Sequence, residues 1–295
     1  MLHSDMKTYS STAGKERLRY ITHCTLCNSY EHKPIISGDG FLFVKCNSCG
    51  LVFQNPQPGE IELRERYGGD YFRYEKDNEK NFFNLMLLGL RDIGFNKIAS
   101  QLNGKKSFLD VGCATGMLIH HMKSNGWAEQ GVEICRPSAI YGIRDKGVKI
   151  FIGTLEEACF EPESFNVIHC SHLIEHLTDP LRFFTEVFRI LKPGGFFIVT
   201  TPNIDGFQAR LFKEKWRSAI ADHMYLFSRK TIEKLFHRTG FKVLKSKTWG
   251  GLAKGTAPAI VKGFADFLAK KMGIGDVMIY LTQKGPTVKL KEPSA

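Results

Sequence analysis

The segment Phe108-Leu-Asp-Val-Gly-Cys-Ala-Thr-Gly-Met117 constrains the fold more than any other part of the chain. It reads as a buried strand, a turn holding Gly112 and Gly116, and a helix from Met117 to Asn125. Glycine lets such a turn fold tightly and leaves no Cβ in the way of a ligand. Amides at the start of the following helix then face that ligand. A second strand, Ala128–Glu133, ends on an acid about 20 residues past the turn, where a carboxylate can accept hydrogen bonds from both hydroxyls of a ribose. The alternation continues with a helix over Pro137–Lys146, strands over Val148–Ile152 and Phe165–Cys170, a helix over Leu181–Leu191 and a strand over Gly195–Thr200. Arg229–Thr239 reads as a helix, and Lys242–Lys247 and Asp276–Thr282 as strands. This pattern predicts an α/β fold with a parallel sheet covered on both faces by helices.

A dinucleotide fingerprint, G-x-G-x-x-G, needs glycine at positions 114 and 117, where the chain has Ala114 and Met117. The turn instead resembles motif I, D-x-G-x-G-x-G, of class I S-adenosylmethionine (SAM)-dependent methyltransferases. Asp110, Gly112 and Gly116 match, and Ala114 replaces the middle glycine. Two further stretches are similar to that family in the same order: the fourth strand with Glu175-His-Leu-Thr-Asp-Pro180, and Leu191-Lys-Pro-Gly-Gly-Phe196. The resemblance covers about Lys106 to Lys284 and implies a Rossmann-like, mostly parallel seven-stranded sheet flanked by helices. It also implies roles. Asp110, Gly112, Cys113 and Gly116 would lie by the methionine part of SAM, Glu133 would hold the ribose, and Ile134 would lie against the adenine. Thr154 and Leu155 take the adenine-edge position, and Cys170 and Ser171 border the methionine end.

Cys24-x2-Cys27 and Cys46-x2-Cys49 are separated by 18 residues, the spacing of a zinc ribbon. Each pair can place two thiolates on one knuckle, and two knuckles complete a tetrahedron around Zn2+. Two disulfides are the other reading, disfavoured in a reducing compartment. Four sulfur ligands leave no open position, so the metal is expected to be structural. The remaining cysteines lie singly among apolar segments.

If the acceptor of a methyl group must lose a proton, a base is needed. His172 follows the fourth strand, at the carboxyl end where ligands bind in such sheets. A related group that methylates quinone precursors carries E-x-x-E-H here and is associated with metal; this chain has His172-x-x-Glu175-His176 and lacks the first carboxylate. A hydrogen-bond network is therefore the expected role of Glu175 and His176. His223, in Ala221-Asp-His-Met-Tyr-Leu-Phe-Ser228, resembles the proposed base of zinc-containing sugar C-methyltransferases and is the leading base candidate. Tyr71 lies where relatives often have an aromatic lid over SAM.

Zinc ribbon, EHL-x-DP and His-x-x-x-Phe-Ser occur together in bacterial sugar- and polysaccharide-associated methyltransferases, which implies a nucleotide sugar or a surface-glycan intermediate as acceptor. A formal charge of +11 suits an anionic partner of that kind. An RNA methyltransferase with a zinc module is the alternative enzyme, although no Lys/Arg run with interleaved aromatics appears. A non-catalytic SAM-fold scaffold is the alternative outside enzymes. Pro258–Lys271 could form an amphipathic helix with a basic edge, able to pack on its own domain or dock on a membrane. No apolar run approaches a membrane span and the first residues do not read as a signal peptide, so a cytoplasmic location is expected. The expected organisation is a flexible N-terminus over 1–20, the zinc ribbon over 21–56 and a helical lid segment over 57–105. The methyltransferase domain follows over 106–284, with acceptor caps at 203–228 and 248–273, and a tail over 285–295.

Overall fold

The computed structural model describes residues 18–59, 62, 65–250, 263 and 269–285. Five strands open it: β1 (Leu18–Arg19), β2 (His32–Gly38), β3 (Phe41–Cys46), β4 (Val52–Gln54) and β5 (Gln57–Pro58). Strands β2, β3 and β4 form an antiparallel sheet carrying the cysteine loops. Strand β1 pairs with β5, Leu18 opposite Pro58 and Arg19 opposite Gln57. Arg19 also donates to Gln57 Oε1 (2.8 Å) and the Thr178 carbonyl (3.0 Å). Residues 1–17 lie outside the described residues, as do most of the second cap and of Pro258–Lys271, and the tail from 286.

Two helices follow, α1 (Gly69–Ile93) and α2 (Phe95–Gln101), broken at Gly94 in the left-handed region. The α/β unit then runs β6 (Ser107–Val111), α3 (Met117–Ser124), β7 (Ala128–Glu133), α4 (Arg136–Lys146), β8 (Ile150–Ile152), β9 (Phe165–Ser171), α5 (Pro180–Ile190) and β10 (Leu191–Pro202). It continues with α6 (Phe207–Phe212), β11 (Tyr225–Leu226), α7 (Arg229–Arg238), β12 (Phe241–Trp249) and β13 (Val277–Lys284). The large sheet has seven strands in the order β12-β13-β10-β9-β6-β7-β8. Its pairs from β10 to β8 are parallel, and only β13 runs against its neighbours. The third parallel strand starts at Ile150 rather than Val148, whose buried side chain instead packs behind Gly116. Among the described residues no helix is long and apolar enough to cross a membrane.

Two motifs identified in the sequence are helix starts. Asp179 caps α5 by accepting from the Arg182 amide (3.0 Å), with Pro180 at the first helical position, where a missing N–H costs nothing. Ser228 caps α7 in a reciprocal box with Thr231 (3.1 and 2.9 Å), so the Phe-Ser pair is architectural.

The sheet has a core on each face. One contains Leu90, Ile93, Phe95, Phe108 and Trp127 under α1–α3. The other joins Phe184, Phe197, Ile232 and Phe236 under α5 and α7 to Leu26, Val44, Leu51 and Phe53 of the cysteine module. The module thus shares its core with the large domain. Strand β11 reinforces this link by pairing with β4, Tyr225 opposite Phe53 and Leu226 opposite Val52. Trp216, in the first expected cap, is buried against Phe43 and Val52 and donates to Asp276 Oδ1 (2.5 Å), so it anchors the cap instead of presenting a contact surface.

Candidate active site

The glycine turn joins β6 to α3 at the carboxyl edge of the sheet. Gly112, Ala114 and Gly116 have φ of +71°, +50° and +77°, an alternation that L-residues avoid at a cost of roughly 1–2 kcal/mol each. A Cβ at Gly112 would meet Leu173 at 3.2 Å, and one at Gly116 would meet Val148 at 3.0 Å. Conformation and protein packing therefore both call for glycine at these two positions. Glu133, at the end of β7, accepts from the Ala114 amide (2.9 Å) through Oε2 and from the Cys135 amide (2.7 Å) through Oε1. Each oxygen keeps a lone pair for a ribose hydroxyl. Burial pushes the Glu133 carboxyl upward, and the Cys135 and Ala114 amides oppose that shift. Ile134 beside it is 40% exposed, an apolar surface suited to a base.

Two residues not identified in the sequence close this side. Glu75 of α1 is buried, accepts from Ser138 Oγ (2.5 Å), and is pushed up to about 7 by burial and the neighbouring Glu133 charge. Tyr67 packs edge-on against Tyr71 (5.1 Å between centroids). Burial, together with the charges of Glu133 and Asp222, pushes its phenol up to about 12. Helical periodicity gives Glu75 no mark, since its burial depends on the packing of α1 against α4.

Across the turn, the loop after β9 carries His172, Glu175 and His176, and the loop before β11 brings His223 against them. His172, at φ +52°, donates through Nδ1 to Glu175 Oε1 (3.1 Å), and Thr201 Oγ1 donates to Glu175 Oε2 (2.9 Å). Burial alone would raise the Glu175 carboxyl, but the His172 hydrogen bond and the fields of His172, His176 and His223 hold it down at about 2. The His176 and His223 rings meet edge to face at 4.7 Å. His176 Nδ1 donates to the Asp222 carbonyl (2.9 Å) and His223 Nδ1 to the Ser218 carbonyl (2.8 Å). Burial, with the His176 charge, pushes His223 down to about 4, so at neutral pH its Nε2 carries a lone pair.

The His223 loop is held from three sides. The Met224 amide donates to the Glu175 carbonyl (2.7 Å), and the Gln54 amide of β4 donates to the Met224 carbonyl (2.8 Å). The Gln54 side-chain nitrogen donates to the His223 and Ala221 carbonyls (2.9 and 3.1 Å). Arg66 pairs with Asp222 (2.5 Å) and donates to the Ala221 carbonyl (3.1 Å).

The four N-terminal cysteines lie on two loops of matching geometry. In the first, the Cys24 amide donates to Ser29 and the Asn28 amide to Cys24; in the second, Cys46 donates to Leu51 and Gly50 to Cys46, all at 2.8–3.0 Å. The residue after each pair is left-handed, Asn28 at +62° and Gly50 at +82°. The sulfurs lie within 4.8 Å of one another, with Cys24–Cys49 and Cys27–Cys46 at 3.5 Å. Disulfide sulfurs stand about 2.05 Å apart, whereas thiolates around tetrahedral zinc, with Zn–S of about 2.3 Å, stand about 3.8 Å apart. The donor set fits the ion, not two bridges.

Residues 90–246 match the profile of a family described as a methyltransferase domain, just over half of the chain. The chain belongs to the methyltransferase-domain family. A ubiquinone biosynthesis O-methyltransferase from Vibrio cholerae is 27% identical over 162 residues, 51% of this chain and 62% of that protein. One from Pseudomonas fluorescens is 35% identical over 108 residues, 35% of this chain and 46% of that protein. The chain thus spans less than two thirds of the length of these relatives. Among solved structures, a SAM-dependent methyltransferase from Thermotoga maritima superposes with a TM-score of 0.53 at 21% identity, over 72% of this chain and 97% of that one. A Haloferax volcanii methyltransferase, in complex with the Trm112 methyltransferase activator, gives a TM-score of 0.58 at 14% identity, over 77% and 99%. These establish the Rossmann-like fold of SAM-dependent methyltransferases.

Within the methyltransferase domain, the expected SAM residues divide into two groups. Gly112, Gly116, Glu133, Ile134, Thr154 and Ser171 line the carboxyl edge of the sheet, Thr154 holding a turn through its bonds to Glu157 (2.8 and 3.2 Å). Asp110, Cys113, Leu155 and Cys170 face inward. The Asp110 carboxylate lies 2.7 Å from His169 Nδ1, Cys113 Sγ fills the space a Cβ on Gly131 would take, and Leu155 and Cys170 belong to the core.

Proposed function

We propose that the chain transfers a methyl group from SAM to a hydroxyl oxygen of a small anionic acceptor, a nucleotide-linked sugar or surface-glycan intermediate. The observation that carries this reading is the placement, at one sheet edge, of the Glu133-bound glycine turn and the His172–Glu175 pair. The turn's amides and Glu133 would hold the nucleoside, with Ile134 against the base. SAM supplies a methyl on a sulfonium, already a good leaving group, so the protein's task is alignment and proton removal. His172 is the proton acceptor: its ring is half exposed, and its Nδ1–H on Glu175 leaves Nε2 free to accept the hydroxyl proton. His223, buried and held weakly basic, orients the acceptor side instead. The names of the relatives favour oxygen as the acceptor atom, and the ribbon motifs and the charge of +11 favour an anionic sugar. The ribbon carries structural Zn2+ on Cys24, Cys27, Cys46 and Cys49.

Calorimetry with SAM, then mass spectrometry of nucleotide-sugar and glycan pools incubated with labelled SAM, tests this reading. One SAM per chain and a mass gain of one methyl on a sugar hydroxyl are expected. Transfer only to RNA, with strongly salt-dependent RNA affinity, would replace the acceptor assignment.

A further inference from the structure

We infer that Glu175, His176 and His223 form a second metal site, a three-ligand seat for a divalent d-block cation such as Zn2+, with open positions toward the acceptor. One ligand atom from each side chain lies within 4.8 Å of the other two. Around a tetrahedral or octahedral ion such atoms stand about 3–3.4 Å apart, at metal–ligand distances of about 2.0–2.2 Å. Small side-chain rotations close that difference.

The orientation of the rings is what separates this cluster from an ordinary hydrogen-bond network. A carbonyl can only accept, so the bonds to the Ser218 and Asp222 carbonyls fix the proton of each imidazole on Nδ1 and leave both Nε2 atoms as bare donors. Among the described residues neither Nε2 has a hydrogen-bond partner. Backbone carbonyls on the far nitrogen are the outer-shell arrangement that orients metal-bound histidines and raises their basicity. Glu175 is fixed in the same way, by His172 on one oxygen and Thr201 on the other. Two nitrogens and one carboxylate select a borderline ion such as Zn2+, Co2+ or Fe2+ over Mg2+ or Ca2+, which prefer all-oxygen shells. Glu175 and His223 are buried while His176 is half-buried, so the cluster opens on the His176 side.

Three protein ligands leave room for an oxygen of the acceptor, and this use of the ion rests on the reading above. The ion would polarise the hydroxyl, whose proton passes to His172 as the oxygen takes the methyl and the donor leaves as the neutral thioether.

The test is metal content of the purified full chain, equilibrated with Zn2+, passed into metal-free buffer and read by mass spectrometry. About two ions per chain are expected for the wild type, and about one for His176→Ala and for Glu175→Gln, with the ribbon ion retained as an internal sign of folding. Loading with Co2+ should give thiolate charge-transfer absorption in all three proteins, and the bands of a nitrogen–oxygen site only in the wild type. A wild type holding metal at the thiolates alone, or variants that keep both ions, would overturn the inference. SAM calorimetry on the same samples is independent: intact SAM binding with a single ion removes this site and leaves the methyl-transfer reading standing, and two ions without SAM binding does the reverse.

Discussion

The ribbon cysteines and the Glu175–His176–His223 cluster gather metal-type donors in opposite ways. The cysteines come from two short loops, each fixed by its own backbone bonds and a left-handed residue, and they surround their centre with four sulfurs. The second cluster joins a turn after β9 to a loop 46 residues further on, uses nitrogen and oxygen, and is incomplete on one side. A closed shell serves folding, whereas an open one can touch substrate. The two are also in series. Strand β4 leaves the second knuckle and, through Gln54 and its pairing with β11, holds the His223 loop in place.

The largest effect should come from breaking the closed site. Cys49→Ser removes a ligand from a module whose core is continuous with the α5–α7 face. The whole chain should then melt earlier, in one calorimetric transition, with acceptor turnover lost. An early separate transition for the ribbon would show that the two regions are uncoupled.

His172→Ala should lower kcat by about 10²–10⁴-fold, the usual contribution of a positioned base, with the SAM dissociation constant unchanged. Full activity in this variant would remove His172 from the chemistry and return His223 to that role.

This contrast also explains what could be read in advance. The glycine turn, the acid at the end of β7, the succession of strands and helices along the chain and the spacing of the four ribbon cysteines are local patterns, and local patterns survive in one dimension. The motif Asp179-Pro180 and the Phe227-Ser228 pair were visible too, but their residues turn out to cap helices, so resemblance located the position and not the role. Asp110 and Cys170 lie on the strands that lead to the site, but the side of the strand they face is set by the sheet's register. The meeting of His176 with His223, the entry of β11 into the ribbon sheet and the burial of Glu75 depend on tertiary packing, which no periodicity records.

A smaller effect isolates the coupling. Gln54→Leu keeps the volume of the side chain but loses its bonds to the His223 and Ala221 carbonyls. Turnover should fall about tenfold, in line with one or two lost hydrogen bonds, while SAM affinity and ribbon zinc stay as in the wild type. Equal losses in SAM binding would mean a general loosening instead.

The smallest effect is one of pH. Burial raises Glu75 from the ordinary carboxylate range to about 7, so the folded chain binds a proton that the unfolded chain has lost. Its contribution to stability is therefore full below pH 4.5 and declines as pH rises toward 7, by about 3 kcal/mol. Glu75→Gln should raise the melting temperature of the SAM-free chain by a few degrees at pH 8 and leave it unchanged at pH 4. A variant less stable than the wild type at pH 8 would contradict this environment.

Titration of the full chain and of Glu133→Ala with SAM, followed by heat and by melting temperature, bears most directly on the whole account. Saturable one-to-one binding that stabilises the wild type, and affinity reduced by about tenfold or more in the variant, is the predicted result. A wild type that yields neither heat nor stabilisation would contradict it.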